Sequence, residues 1–170
     1  MRKSRLHTLP VGYSEDHLSL AIQELGEKLI ESLTVRGYPV EHSELSHRVF
    51  YNGAMFGGRY VLEVWIEYDR LTESHAALLT HAYRVGQMDG RTYEQLMSNS
   101  DPSMSREEWV TLMKQSDKSP WSSTVFLPAD MTRAEMKTLD LAWRRGWLNG
   151  RHAEQGSGDL SPSPYSKDEE

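Results

Sequence analysis

Two stretches of the chain repeat an unusual pattern of small, aromatic and basic residues. HAYRVGQMDGRTYEQ begins at His81, and LAWRRGWLNGRHAEQ begins at Leu141. The segments 71–95 and 131–155 align in register without a gap, and we treat them as an internal repeat. Two copies are too few for a solenoid, which needs at least three units to bury a continuous core. The identical pairs are Thr72/Thr132, Leu79/Leu139, Ala82/Ala142, Arg84/Arg144, Gly86/Gly146, Gly90/Gly150, Arg91/Arg151, Glu94/Glu154 and Gln95/Gln155.

The glycines of the repeat allow two interpretations. In the first, Gly90 and Gly150 end their helices in the left-handed conformation, and residues 92–95 cap a new helix in the first copy. In the second, each helix continues, and its small residues let another backbone approach closely. Glycine costs about 1 kcal/mol against alanine inside a helix, so a helical glycine needs a packing reason. We expect a mixture, with Gly86 and Gly146 at close contacts and Gly90 and Gly150 as helix stops. The two equivalent helices then pack against each other or against a β-hairpin.

The N-terminal part predicts a helix followed by antiparallel strands. Ser14 precedes a segment with apolar residues at helical spacing, and Gly37 followed by proline is a stop signal, so we expect a helix over 15–35. The following segment HRVFYNGAMFGGRYVLEVWIEYDR is rich in β-branched and aromatic residues, with glycine turns in its middle. We therefore expect a β-hairpin, and a third strand near 38–41.

The C-terminal half predicts helices with capped starts. Thr72 and Thr132 are candidate N-caps, and Ser105 with Glu108 forms a capping box before REEWVTLMKQ. The segment STVFLP, ending at Pro128, is a candidate extended piece. The fold class expected from the sequence is α+β, with an N-terminal helix, a small antiparallel sheet and a helical half with two related helix–glycine units.

Charge and composition set the expected boundaries. The formal net charge is −6, yet residues 1–12 are basic without any acid, and the segment 156–170 is polar, acidic and rich in serine and proline. We expect a flexible N-terminus at 1–12, one domain at 13–155 that divides into 13–70 and 71–155, and a disordered tail at 156–170. The chain has no cysteine, which excludes disulfides and thiolate chemistry and fits a cytoplasmic protein. The sequence predicts neither a secretory signal nor a membrane-spanning helix.

A search for catalytic, cofactor and metal motifs gives no candidate. His42, Glu44 and His47 lie close together in sequence, but before a predicted strand rather than on a helix, where ExxH spacing would turn two ligands the same way. No phosphate-binding glycine loop or nucleophile elbow is present. We therefore predict that the protein is not an enzyme and has no metal or cofactor.

Two surfaces remain as candidate binding sites. The first is the acidic face of the predicted hairpin, formed by Glu63, Trp65, Glu67 and Asp69, because an exposed tryptophan is a frequent interface anchor and acids suit a basic partner. A loop or helix that covers Trp65 is the alternative. The second surface is an arginine–tryptophan patch suited to nucleic acid, formed by Trp143, Arg144, Arg145, Trp147 and Arg151. Its alternative is a buried Trp143, with the arginines paired to Glu94, Glu154 and Asp140.

The repeated pattern A-aromatic-R-x-G-x-x-x-G-R resembles short segments of small accessory proteins of phages and mobile elements, a resemblance that implies no particular activity. The absence of catalytic motifs, the acidic charge and the small size favour a small cytosolic protein that binds another protein, such as a phage-type inhibitor or adaptor acting on a basic surface of a host complex. The alternative is a nucleic-acid-binding accessory protein that uses the arginine–tryptophan patch. An enzyme with an unrecognised site is a third class.

Overall fold

A computed structural model describes residues 1–53, 58–98, 103–122, 131–157 and 159–166. The α+β class predicted from the sequence is confirmed, since a small antiparallel sheet precedes a helical C-terminal half. The residues group into two compact units, and the single domain expected over 13–155, with parts 13–70 and 71–155, stays a prediction. Unit 1 comprises Met1–Thr34 and Tyr38–Arg70, and unit 2 comprises Val35–Gly37 and Leu71–Glu170. The predicted extended piece at STVFLP lies outside the described residues.

Unit 1 contains one long helix, α1, at Glu15–Thr34. Its start is capped as predicted, because the Ser14 hydroxyl accepts a hydrogen bond from the His17 amide at 3.3 Å. After the helix the chain turns at Gly37, where φ is +89°, a conformation that residues with a Cβ rarely adopt. The predicted bounds of this helix were therefore correct to within one residue.

The sheet of unit 1 has the order β1–β3–β2, with both pairs antiparallel. The predicted hairpin is present as β2 at Leu45–Asn52 and β3 at Arg59–Glu67. The third strand is β1 at Arg2–Thr8, so the expectation of a flexible N-terminus at 1–12 and of a strand near 38–41 was wrong. The physical reason is that β3 has a second edge on the side away from β2. The basic strand β1 pairs at that edge with β3, which carries acidic residues.

The core of unit 1 lies between α1 and one face of the sheet. Alternate residues of β3 point toward the helix, as expected for a strand with one face on a core. Leu62, Val64 and Ile66 are fully buried, and Leu29 and Leu33 of α1 are buried with them. The opposite face of β3 carries the candidate residues Glu63, Trp65 and Glu67.

Unit 2 contains α2 at Glu73–Ser98, α3 at Arg106–Ser116 and α4 at Arg133–His152, followed by a π-type turn at Ala153–Ser157. The predicted caps are present at all three helices. Ser105 and Thr132 each form a reciprocal capping box, with Glu108 and Glu135 respectively. The Thr72 hydroxyl accepts a hydrogen bond from the His75 amide at 3.2 Å.

Helices α2 and α4 run parallel and touch backbone to backbone through all four repeat glycines. A Cβ on Gly86 would overlap the Trp143 carbonyl, and one on Gly146 would overlap the Tyr83 carbonyl. About one helical turn further along, Gly90 lies against the Trp147 carbonyl and Gly150 lies against the Gln87 carbonyl. The predicted close contact at Gly86 and Gly146 is confirmed. The predicted stops at Gly90 and Gly150 were wrong, because both helices continue through them and neither glycine has a positive φ.

The two copies of the repeat also pair reciprocally through their side chains. Arg151 bonds Glu94 at 2.8 Å, and the equivalent pair, Arg91 and Glu154, lies at 3.7 Å. Gln95 donates to Glu154 at 3.1 Å. Equivalent residues thus exchange partners across the contact, as in a two-fold interface between identical chains. The repeat has a structural reason: each copy provides the surface on which the other packs.

The C-terminal segment differs from the expected disordered tail at 156–170. Residues 159–166 are described, and Ser163 and Tyr165 are buried. Tyr165 belongs to the cluster of buried residues that contains Leu79 and Leu139. The prediction that nothing in this segment enters a core was therefore wrong, because one aromatic ring is enough to hold a short polar segment on a helix surface.

The glycine contact predicts a loss of stability when a Cβ is added. Alanine is the better helix former by about 1 kcal/mol, yet Gly86→Ala must push apart two backbones, and we expect a net loss of about 1–3 kcal/mol. Chemical denaturation followed by circular dichroism measures the change. Gly26→Ala in α1 is the matched control, since a Cβ there meets only the movable Leu45 side chain, and it should cost less. A Gly86→Ala protein as stable as the wild type would contradict the close contact.

Candidate functional site: an arginine–tryptophan cluster on the sheet

The candidate site lies on the face of the sheet that points away from α1. Trp65 is half-buried on β3, the central strand, and its direct neighbours across the sheet are Ser4 on β1 and Ser46 on β2. Both serines are small and exposed. They leave the faces of the indole open to longer side chains from the same two strands.

Two arginines from the flanking strands occupy that space. The Arg2 guanidinium carbon lies 4.3 Å from the centre of the Trp65 ring, and that of Arg48 lies 5.9 Å away. Arg48 also lies 5.3 Å from the Phe50 ring. Guanidinium groups over aromatic faces contribute about 0.5–2 kcal/mol each, depending on their exposure. We call Arg2, Arg48, Glu63 and Trp65 the sheet cluster.

Glu63 holds both arginines in place. Its Oε1 accepts from Arg2 at 2.9 Å and its Oε2 from Arg48 at 2.7 Å, and its side chain is only 10% exposed. Arg48 lies directly across the sheet from Glu63, a register in which opposite charges stabilise a strand pair. One carboxylate thus fixes two long side chains that would otherwise sample many rotamers.

The same arrangement determines the protonation of Glu63. Burial alone would raise the pKa of this carboxyl, but the hydrogen bond and charge of Arg48, with those of Arg2, outweigh burial and hold the pKa below its ordinary value. Glu63 is therefore a carboxylate at neutral pH and balances part of the positive charge beside it.

The structure brings together only part of the predicted acidic face. Glu63 and Trp65 belong to the sheet cluster, whereas Glu67 is exposed at the end of β3 and Asp69 is exposed just beyond it. The acid nearest the tryptophan is neutralised, so this face is mixed in charge rather than acidic. Among the described residues, the side chains of Arg2 and Arg48 lie over Trp65.

Arg2 and Arg48 are the site residues that the sequence analysis missed. Arg48 carried a usable signal, since a hairpin register that aligns β2 with β3 sets it opposite Glu63. Arg2 carried none, because its position depends on β1, which contains only one large apolar residue, Leu6.

The second predicted patch, on α4, divides among separate contacts. Trp143 is buried at 4% exposure, and its indole N–H donates to Asp89 at 2.8 Å. Burial raises the pKa of Asp89, although the hydrogen bond from Trp143 acts in the opposite direction. Arg144 extends to solvent, at 61% side-chain exposure, and pairs with Asp140 at 2.8 Å.

The other members of that patch are held by neighbours within unit 2. Arg151 binds Glu94 and lies 4.9 Å from the Trp147 ring, while the Trp147 indole N–H donates to the Ser116 carbonyl at 2.7 Å. Arg145 donates to the Val35 carbonyl at 3.1 Å. The alternative of a buried Trp143 with arginines paired to Glu94, Glu154 and Asp140 is what the structure contains.

Comparison with known proteins gives no relative: no family model, no curated protein and no solved structure matches the chain. Among the described residues, no helix is long and apolar enough to cross a membrane. The same part of the chain contains no group of three histidine, aspartate or glutamate side chains that could hold a metal ion.

The lowered pKa of Glu63 predicts a pH-dependent contribution to stability. A carboxylate with a depressed pKa stabilises the fold above its ordinary value of 4.5, and the contribution is lost as the pH falls through the lowered value. At pH 7 we expect Glu63→Gln to destabilise the protein by about 1–3 kcal/mol, because two charged hydrogen bonds are weakened. Below pH 4.5 the difference from the wild type should shrink toward zero.

Denaturant titrations at pH 7 and at pH 3 measure both effects. Glu67→Gln, which removes an exposed charge from the same strand, is the control and should stay near the wild type at pH 7. An equal effect of Glu63→Gln at both pH values would show that the carboxylate charge does not contribute.

Proposed function

We propose that this protein acts by binding another protein through the sheet cluster, as a small cytosolic inhibitor or adaptor rather than as an enzyme. The observation that carries the proposal is an indole flanked by two guanidinium groups on the sheet face that points away from α1, with both groups fixed by one carboxylate. A tryptophan beside two ordered arginines suits a protein partner that covers them.

The residue types of the cluster support a protein partner. Tryptophan and arginine are over-represented among interface residues whose truncation costs 2 kcal/mol or more. The surrounding face adds an exposed Leu6, at 51% exposure, and the half-buried Phe50. Together these side chains form an apolar centre with charged groups at its edge, the usual anatomy of a protein interface.

The rigidity of the cluster supports the same conclusion. Ordering a long side chain at an interface costs about 0.5–1.5 kcal/mol. Glu63 already orders Arg2 and Arg48 in the free protein, so this cost is largely absent when a partner binds. A surface of this kind favours specific binding over adventitious contact.

The charge at the edge of the cluster indicates the partner's chemistry. Glu67 and Asp69 are exposed at the end of β3, and the chain as a whole is acidic, with a net charge of −6. These charges favour approach of a basic surface and disfavour a phosphate backbone. We therefore keep a basic region of a host protein as the proposed target and make nucleic-acid binding an outcome of the test.

The test is affinity purification from the native host with wild-type and variant baits, before and after nuclease treatment. A partner that binds the sheet cluster should be lost with Trp65→Ala, since truncating a central anchor costs about 2 kcal/mol or more, at least thirtyfold in affinity. It should also be lost with Leu6→Lys, which adds a charge to the same face without removing a buried side chain. Glu67→Lys with Asp69→Lys should slow association with a basic partner.

Arg144→Ala is the control bait, because Arg144 is exposed and pairs only with a neighbour on its own helix in the described contacts. It should retain the partner, and circular dichroism should show every bait folded. Binding that survives both Trp65→Ala and Leu6→Lys would exclude the sheet cluster. Binding that disappears with nuclease and with Arg144→Ala would favour the nucleic-acid alternative.

A further inference from the structure

The C-terminal segment lies along the α2–α4 pair in the manner of a bound peptide. Ser163 and Tyr165 are buried, while Pro162 and Pro164 are exposed. The chain turns at 163–166, where the Ser166 amide donates to the Ser163 carbonyl at 3.2 Å. The Ser163 hydroxyl donates to Thr80 of α2 at 3.4 Å, so two side chains of the turn face the helices. The prolines restrict the segment before it binds, because each fixes its own φ.

Two amide side chains recognise the backbone of the segment. Asn149 accepts from the Ser161 amide at 3.1 Å and donates to the Ser161 hydroxyl at 3.0 Å. Gln87, itself buried, donates to the Ser161 carbonyl at 2.8 Å and to Asn149 at 2.6 Å. Both backbone polar groups of Ser161 are thus bound by side chains of the helix pair.

Tyr165 provides the anchor at the other end. Its ring belongs to the buried cluster that contains Leu79 and Ala142 and lies edge-on to Tyr83 at 6.5 Å. Its hydroxyl donates to the Val35 carbonyl at 3.3 Å and accepts from Arg145 at 3.2 Å. An aromatic ring in an apolar pocket with two hydrogen bonds at its hydroxyl is a specific recognition site rather than a general hydrophobic contact.

A cavity adjoins the segment on the side of α2. Next to Tyr165 lies an open cavity of about 510 Å³, lined by Glu73, Ala77, His81 and Arg84 among others. The segment borders this cavity without filling it. A longer peptide could therefore make contacts that the chain's own residues do not make.

We propose that the α2–α4 groove is a binding site for a turn-forming, proline-flanked tyrosine peptide of a partner protein, and that residues 161–166 occupy it in the resting protein. The occupant's chemistry follows from the segment that fits: a serine read through its backbone, a small buried residue, and a tyrosine anchor, separated by prolines. The chain's own segment then acts as an intramolecular competitor. Tethering gives it an effective concentration on the order of millimolar, so that a partner must bind more strongly or extend into the adjacent cavity.

The experiment measures binding of a fluorescein-labelled peptide, DLSPSPYS, to full-length proteins by fluorescence anisotropy. Tyr165→Ala removes the internal anchor, and this variant should bind the peptide at least about tenfold more tightly than the wild type, in which the groove is occupied. The double variant Tyr165→Ala with Arg145→Ala should bind more weakly by about two- to tenfold, as should a peptide with phenylalanine in place of tyrosine.

Matched controls separate specific recognition from nonspecific binding. Tyr165→Ala with Arg144→Ala changes the neighbouring exposed arginine and should bind as Tyr165→Ala does. A peptide with alanine in place of tyrosine should not bind. If Tyr165→Ala loses its helical circular dichroism signal, Tyr165→Phe replaces it as the acceptor, with an expected gain over the wild type of about twofold or more.

Three results would overturn the proposal. The first is no saturable binding to a folded Tyr165 variant, and the second is equal binding of the tyrosine and alanine peptides. The third is concentration-dependent dimerisation of the wild type that Tyr165→Ala abolishes, which would make a second copy of this chain the occupant. None of them bears on the sheet cluster, whose test uses different residues.

Discussion

The backbone contact between α2 and α4 is the constraint on which unit 2 depends. Four glycines at equivalent positions let the two helices approach until carbonyls of one touch the Cα positions of the other. At that distance no side chain larger than hydrogen fits, and the partner residues around the contact are fixed in register. The reciprocal ion pairs Arg151–Glu94 and Arg91–Glu154 follow from that register, as does the pair of amides that reads Ser161. The sequence repeats because the two copies form the two sides of one self-complementary contact.

Electrostatic pairing has a different role in unit 1, where it orders a surface rather than a core. Exposed ion pairs usually contribute little to stability because salt screens them and side-chain entropy opposes them. Glu63 is an exception in geometry, since it is largely buried and bonds two arginines that also lie over an aromatic ring. The main consequence is conformational: a tryptophan and two guanidinium groups are held in one arrangement.

The sequence predicted the elements with local signals and missed those that depend on distant partners. Capping at Ser14 and Thr132 and the alternation of β3 gave the helix starts and the hairpin correctly. Gly90 was misassigned because an Asp-Gly pair is a frequent helix stop. Only the presence of a second helix makes it favourable for α2 to continue through this glycine. β1 and Tyr165 were missed for the same reason. Their neighbours in the sequence are polar, and residues far away in the sequence form the sheet edge and the groove that hold them. Of the candidate site, Trp65 and Glu63 could be named from alternation and Arg48 from the hairpin register, but Arg2 could not, because its position depends on β1.

The central structural claim is that the two copies of the repeat face each other, and a charge-exchange cycle tests it most directly. Glu94→Arg and Arg151→Glu each set like charges against each other, and each should lower the free energy of unfolding. The double variant restores the pair with its signs reversed, and the measured quantity is the coupling free energy from denaturant titrations of all four proteins. The account predicts that the double variant is more stable than the sum of the single effects by about 0.5 kcal/mol or more. Strict additivity of the two substitutions would show that these residues do not meet and would contradict the facing arrangement of α2 and α4.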